Sequence, residues 1–238
     1  AQEAQRKLLP KDMPQIRGFE IDAVCITANE VGGDYYDFFE LGDNRLAIAV
    51  GDVSGKGAKA AFYMAELKGI IESTTRIYSS PKEIIVHINK TLFGNLEPQS
   101  FISLIYAMLD VKKKELVLAR AGHCPMLYCA SKNGVATFVE PAGLGLGLEF
   151  GPKFEETLCE QRIKLANGDV LVFYTDGLIE ACNTELKEFE QERLRDLVSK
   201  NCDLNASAIK EVLIKEVKDF VGGAKAHDDL TCVIIKVA

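Results

Sequence analysis

The sequence predicts an α+β protein in which two antiparallel sheets pack face to face and helices cover their outer sides. Three observations support this fold class. Strand patterns outnumber helical patterns, the strands mostly follow one another as hairpins, and the amphipathic helices need sheet faces to cover. Strict alternation of strand and helix is absent, which disfavours a doubly wound parallel sheet.

The first part of the chain is predicted to form strands and then two helices. Alternating β-forming residues indicate strands at residues 19–27, 35–41 and 45–52, with a turn at residues 42–44. From Ala58 the apolar residues follow helical spacing as far as Tyr78. Pro81 then opens a second helix, because proline is tolerated at the first helical position.

The second part of the chain is predicted to contain strands, two more helices and a last strand. Strands are expected at residues 101–110, 114–122, 125–131 and 134–140, and extended segments at 153–165 and 169–177. Helices are expected at residues 191–200 and 206–221, and a final strand at 230–238.

Composition limits the class of protein. The 238 residues suit one domain by default, and 47% hydrophobic residues can build a large core. The net charge of −7 argues against nucleic-acid binding. Seven scattered cysteines without a CxxC pair favour a reducing, cytoplasmic location over a disulfide scaffold or a zinc site. No apolar run is long enough to span a membrane.

Residues 1–15 are interpreted as a connector helix from an upstream regulatory domain, and residues 16–238 as the main domain.

Acidic residues stand beside apolar strands at four places. These places are "GGDYYD" with Asp34, "VGDVSGKG" with Asp52, "FYTDGLIEA" with Asp176, and "HDDLTCVII" with Asp228 and Asp229. Each acid alone is as readily a turn residue, as Asp43 and Asp169 are expected to be. Four such acids could instead gather at a sheet edge, where hard divalent cations would neutralise them.

The ordered motifs resemble the SpoIIE/RsbU-like serine phosphatases, a bacterial branch of the metal-dependent type 2C (PP2C) protein phosphatases. The motifs are "VGGDYYDFF", "AVGDVSGKGAKAAFYMA", "ARAGHCPML", "FYTDGLIEACN" and "HDDLTCVIIK". The resemblance covers nearly the whole chain. It implies a four-layer α-β-β-α sandwich with two Mn²⁺ or Mg²⁺ ions, and hydrolysis of phosphoserine or phosphothreonine on a protein.

The resemblance also implies a set of metal ligands in this chain. They would act in catalysis through the metal-bound water. The side-chain ligands are Asp34, Asp52, Asp176 and Asp228, and the backbone carbonyl ligand is Val53. Asp228 is preferred over Asp229 because the first acid of the pair matches the ligand of the family.

The chain departs from the family pattern in three places. No histidine follows Asp52, as is usual in the bacterial branch, so the group that protonates the leaving oxygen is not assigned. Glu190 stands where the branch usually has glycine, and Cys124 where it often has asparagine.

His123 in "AGHCP" is expected to fix its turn rather than to act in catalysis, since a lone histidine lacks a triad partner.

The resemblance further implies partners. The expected substrate is a phosphorylated regulator similar to an anti-anti-sigma factor. An upstream sensor or receiver domain would control the enzyme in signal transduction, and the N-terminal helix could form a homodimer. Neither nucleic acid nor membrane contact is expected. Two alternatives stay open, a catalytically quiet module that binds a partner and a phosphohydrolase of small molecules.

Overall fold

The computed structural model describes residues 3, 5 and 7–238. Its strands are β1 (Phe19–Ile26), β2 (Tyr35–Glu40), β3 (Arg45–Val53), β4 (Ile102–Asp110), β5 (Glu115–Ala121), β6 (Met126–Ala130), β7 (Val135–Val139), β8 (Glu160–Lys164), β9 (Val170–Tyr174) and β10 (Leu230–Val237). Its helices are α1 (Ala58–Thr74), α2 (Pro81–Leu92), α3 (Pro152–Thr157), α4 (Asp176–Ile179), α5 (Gln191–Lys200) and α6 (Ala206–Val221). They belong to two compact units, and every pair of neighbouring strands is antiparallel.

The first unit contains Asn29–Cys124 and Glu140–Lys164, with the described part of residues 1–12. Its sheet has the order β2-β3-β4-β5-β8. Helices α1 and α2 pack on one face of this sheet, where Met64, Leu67 and Ile71 of α1 are fully buried in the same cluster as Ala49. Ser80 caps α2 by accepting a hydrogen bond from the Glu83 amide (3.2 Å), directly before Pro81 at the first helical position.

The second unit contains Met13–Ala28, Pro125–Val139 and Leu165–Ala238. Its sheet has the order β1-β10-β9-β6-β7. Helix α6 packs its buried stripe of Ile209, Leu213 and Val217 on β1 and β10. Asn205 caps the start of α6 by accepting from the Ala208 amide, and Gly222 ends the helix in the left-handed conformation.

Two segments predicted as extended contain short helices instead. Residues 153–165 include α3 before β8, because Gly151 turns the chain at a φ of 77° and Pro152 then presets the helical backbone. Phe154 is buried from α3, so tertiary packing stabilises this turn. Residues 169–177 form β9 only as far as Tyr174, after which the chain enters α4 and the Glu180 amide donates to the Asp176 carbonyl.

The predicted connector at residues 1–15 falls partly on residues 1, 2, 4 and 6, which lie outside the described part of the chain. Residues 3 and 5 are helical, and the boundary at residue 16 stays a prediction. None of the helices among the described residues combines the length and apolar character that crossing a lipid bilayer requires.

Candidate metal centre

Asp34 and Asp52 are cross-strand neighbours at one end of the first sheet. In the β2–β3 register Tyr35 pairs with Gly51, and the Val53 amide donates to the Gly33 carbonyl at 3.3 Å. The register therefore continues through Asp34 and Asp52. Directly opposed residues of an antiparallel pair point to the same face, with Cβ atoms about 5 Å apart. This face is the one that carries Val50 and is turned away from α1 and α2.

A glycine brings the carboxylate of Asp52 and the carbonyl of Val53 to one point. A Cβ atom on Gly33 would lie 2.6 Å from the Val53 carbonyl oxygen and 2.9 Å from Asp52 Oδ1. Both oxygens therefore lie against the same small backbone position, which any larger residue would fill. Asp34, directly after Gly33, is buried to 3% exposure. The donors of this group are all oxygens, the type that Mg²⁺ and Mn²⁺ prefer.

Ser103 of β4 lies beside Asp52 on the same face of the sheet, and its side chain contacts His123. Ser103 pairs with Asp52 in the β3–β4 register, so their side chains share a face. The Ser103 hydroxyl lies 2.7 Å from Nδ1 of the buried His123. The Arg120 guanidinium donates to the His123 carbonyl at 2.5 Å. His123 is thus part of a hydrogen-bonded turn, which agrees with the structural role expected from the sequence.

Asp176 and Asp228 belong to the second unit, where hydrogen bonds fasten the end of β9 to the start of β10. The Thr175 amide donates to the Thr231 carbonyl (3.1 Å), and the Thr231 amide donates to the Thr175 hydroxyl (3.0 Å). A Cβ atom on Gly177 would lie 1.9 Å from the Asp229 carbonyl oxygen. The residue after Asp176 is therefore pressed against the segment that carries Asp228.

The two acids of the final pair have different surroundings. Asp229 is 5% exposed, and its Oδ1 accepts a hydrogen bond from the Ala28 amide at 2.8 Å. Asp228 is exposed, and its Oδ1 accepts from the Asp229 amide at 2.9 Å. Asp229 thus anchors the chain beside β1, which leaves Asp228 as the better placed of the two to meet an ion from solvent.

Electrostatics shows that the acids of the second unit crowd one another. Burial and the carboxylates of Asp176, Glu188 and Asp228 raise the pKa of Glu180 above its ordinary value. Such crowding disfavours additional negative charge and favours a bound cation. Among the described residues no group of three or more His, Cys, Asp or Glu is close enough to hold a metal. Of the predicted ligands, Asp34, Asp52 and Val53 belong to the first unit, and Asp176 and Asp228 to the second.

Two buried polar contacts near Asp34 were not predicted from the sequence. The Gln5 side chain both donates to the Gly32 carbonyl (2.5 Å) and accepts from the Gly32 amide (3.0 Å), two residues before Asp34. Asp37 forms a partly buried ion pair with Lys68 of α1 and accepts from the Tyr35 hydroxyl at 2.9 Å. The only available signal for the second contact was Lys68 on the otherwise apolar stripe of α1.

Glu190, the residue that departs from the family pattern, has an unusual backbone. Its φ of 72° and ψ of 150° lie in a region that essentially only glycine adopts without strain. Its amide donates to the Ile179 carbonyl at 2.8 Å, which ties it to the end of α4. Position 190, where this chain has glutamate instead of the usual glycine, therefore has a backbone conformation that favours glycine.

The sequence comparisons establish the family. Residues 42–238 match the family described as Stage II sporulation protein E (SpoIIE). The chain belongs to the SpoIIE family. Phosphoserine phosphatase RsbU of Bacillus subtilis (strain 168) is 28% identical over 99% of this chain and 68% of its own length. Protein IcfG of Synechocystis is 25% identical over 97% of this chain, which spans only 40% of that relative.

Solved structures show the same fold in this SpoIIE-family chain. The SiaA-PP2C domain of Pseudomonas aeruginosa covers 100% of this chain and 94% of its own, with a TM-score of 0.88 at 17% identity. The SpoIIE phosphatase domain structure from Bacillus subtilis, which includes a fragment of its regulatory domain, covers 94% of this chain and 64% of its own, with a TM-score of 0.78 at 21% identity. The predicted fold class and family are confirmed, and with them the enzyme class, a protein serine/threonine phosphatase.

A related structure bears on the metal. RsbX in complex with magnesium has a TM-score of 0.71 and 14% identity, and covers 94% of this chain and 98% of its own. The predicted dependence on a divalent metal is supported for the family, while the choice of Mn²⁺ or Mg²⁺ remains a prediction.

Proposed function

We propose that this SpoIIE-family domain hydrolyses phosphoserine or phosphothreonine on a regulatory protein with the help of two divalent ions, Mn²⁺ or Mg²⁺. The side chains of Asp34, Asp52, Asp176 and Asp228 and the Val53 carbonyl would hold them. The observation that carries the proposal is the convergence of Asp52 Oδ1 and the Val53 carbonyl on Gly33, next to Asp34. Nothing in an apolar hairpin otherwise requires this arrangement of oxygens.

Bound ions would act as Lewis acids that lower the pKa of water and neutralise phosphoryl charge. The contribution of the chain is to hold oxygen donors in place. The cross-strand register fixes Asp34 beside Asp52, and Gly33 leaves room for two donors at one position. In the second unit, Thr175 and Gly177 fix Asp176 against the segment of Asp228.

The physiological substrate and partners belong to the same proposal. We infer that the substrate is a phosphorylated regulator similar to an anti-anti-sigma factor, since the relatives of this chain include phosphoserine phosphatases RsbU and RsbP. The chain spans about half the length of RsbP and 40% of IcfG. We propose that the whole protein carries an upstream sensor or receiver domain and forms a homodimer through the N-terminal helix. Seven scattered cysteines without a CxxC pair support a cytoplasmic location.

The test is hydrolysis of p-nitrophenyl phosphate with Mn²⁺, with Mg²⁺ and with a chelator. We expect activity that needs metal and falls by a factor of about 10²–10³ in Asp52→Asn and in Asp176→Asn, because each removes a preorganised charged group. Asp43→Asn is the matched control, since Asp43 is an exposed turn residue whose φ of 48° suits asparagine.

The outcomes separate the alternatives. Full activity in Asp52→Asn or Asp176→Asn would refute the assigned ligands. Metal binding by calorimetry without hydrolysis would favour a partner-binding module, and faster hydrolysis of nucleotide or sugar phosphates than of a phosphoprotein would favour a small-molecule phosphohydrolase.

A further inference from the structure

Four large exposed apolar side chains on the first unit form two neighbouring pairs that the segment 148–150 joins, here called the apolar patch. Its members are Phe93, Phe101, Leu148 and Phe150, which are 37%, 39%, 54% and 53% exposed. The rings of Phe93 and Phe150 lie 5.0 Å apart between centroids. Leu148 and Phe101 both lie within 3.5 Å of the position that a Cβ on Gly145 would occupy. Single exposed hydrophobic residues are ordinary, whereas contiguous groups mark interaction surfaces.

Hydrogen bonds hold the patch in a defined shape. The buried Asn89 side chain accepts from the Gly147 amide (2.8 Å) and donates to the Glu149 carbonyl (2.9 Å), on either side of Leu148. Leu146 and Ile102 exchange two backbone hydrogen bonds of 2.8 and 3.0 Å. Both segments of the patch are therefore anchored to α2 and β4, and the surface is preorganised for binding.

The patch is continuous with the candidate metal centre. The Ser54 amide donates to the Phe101 carbonyl (3.0 Å), and the Phe101 amide donates to the Ser54 hydroxyl (2.8 Å). Ser54 directly follows Val53, the proposed carbonyl ligand. A protein substrate whose phosphoserine reaches this centre thus has the patch within reach of its neighbouring residues, whereas a small phosphate ester does not need such a surface.

Two lysines near the patch are engaged in ion pairs with acids. Lys59 pairs with Glu97 (2.7 Å) and Lys153 with Glu149 (2.6 Å). The chain as a whole carries a net charge of −7, so its long-range field opposes a phosphoprotein. Apolar contact with the patch would therefore add binding energy that this long-range field does not supply.

We propose that the apolar patch docks nonpolar residues that flank the phosphoserine of the substrate protein. This inference rests on the proposed function, and it adds a surface that selects among phosphoprotein substrates. The substrate is a phosphoprotein with aliphatic or aromatic side chains beside the phosphorylated residue, and the patch discriminates it from phosphoproteins with polar flanks.

The experiment compares two synthetic phosphoserine peptides that differ only in their flanks, leucine and isoleucine in one and serine in the other. Phosphate release is measured with the Mn²⁺-loaded chain, and kcat/KM is determined for each peptide. We expect the wild-type chain to prefer the apolar peptide by at least about tenfold, roughly the effect of burying one leucine side chain. Leu148→Ser and Phe150→Ser should remove this preference and leave the rates with the polar peptide and with p-nitrophenyl phosphate unchanged.

Val135→Ser is the matched control, because Val135 is 52% exposed and lies outside the patch, on β7. No preference in the wild-type chain, or a preference that persists in both patch variants, would overturn the docking proposal. So would a wild-type dimer that Leu148→Ser converts to a monomer in light scattering, since a second copy would then occupy the patch. A failure of the proposed function is distinct, because all three substrates would resist metal-dependent hydrolysis.

Discussion

Replacing Gly33 by alanine tests whether this glycine shapes the candidate metal centre. The new Cβ would lie 2.6 Å from the Val53 carbonyl oxygen and 2.9 Å from Asp52 Oδ1. To reach an ordinary contact of about 3.4 Å, these oxygens would have to move by roughly 0.8 and 0.5 Å. Metal–oxygen distances vary by only about 0.2 Å in working sites. Gly33 does not have a positive φ, so alanine meets a steric conflict and no backbone strain.

We expect Gly33→Ala to weaken metal binding by about 10- to 100-fold and to cost about 1–3 kcal/mol in the free energy of unfolding. Calorimetric titration with Mn²⁺ measures the first effect, and urea unfolding of the metal-free chain measures the second.

Gly69→Ala is the matched control for this substitution. Gly69 lies within α1 with nothing within 4 Å of its missing Cβ, so alanine there should stabilise the fold by about 0.5–1 kcal/mol and leave metal affinity unchanged. Wild-type metal affinity in Gly33→Ala would refute the argument, because the two oxygens would then not need their present positions.

Three further substitutions test other parts of the structure. Gly177→Ala places a Cβ 1.9 Å from the Asp229 carbonyl and should abolish metal-dependent hydrolysis of p-nitrophenyl phosphate; retained activity would show that this segment can move without loss. Glu190→Gly should stabilise the chain by about 1 kcal/mol in urea unfolding, since it relieves a strained backbone, and a loss of stability would contradict this reading. Burial and the hydrogen-bonded Asp169 raise the pKa of Tyr128 to about 12, so the folded state holds this proton more tightly. Unfolding free energy should therefore fall as pH rises from 10 to 12, less steeply in Tyr128→Phe, and equal slopes in unfolding series over this range would contradict the assignment.

Much of the fold could be predicted from the sequence because the local residue pattern and the tertiary packing favour the same helices and strands. The stripe of Met64, Leu67 and Ile71 predicts a helix on a sheet, and the structure buries all three. The short helix α3 was missed because Pro152 follows a single glycine and the apolar pattern of residues 153–165 is dominated by the strand beyond it. A helix of six residues is too short for its period to be recognised.

The site was predicted less completely, because its geometry depends on contacts between residues far apart in the chain. Motifs in the sequence single out Asp34, Asp52, Asp176 and Asp228, but not the contact of Gln5 with Gly32 or the pairing of Ser103 with Asp52. Those contacts follow from strand register and from packing, which alternation of residues does not encode. Position 190 is an exception to this limit. The family pattern has glycine there, and the structure shows a backbone conformation that favours glycine.

The same physical device recurs in both units of the chain. In the first, Gly33 precedes Asp34 and lies against the carbonyl of Val53, the neighbour of the second acid, Asp52. In the second, Gly177 follows Asp176 and lies against the carbonyl of Asp229, the neighbour of Asp228. A glycine beside one acid thus sets the approach of the backbone that carries the other. Because each close contact involves a main-chain oxygen, it cannot be relieved by a change of rotamer. The backbone segments that carry each pair of acids are therefore held close together without a cation, which would remove part of the ordering cost from the proposed metal binding.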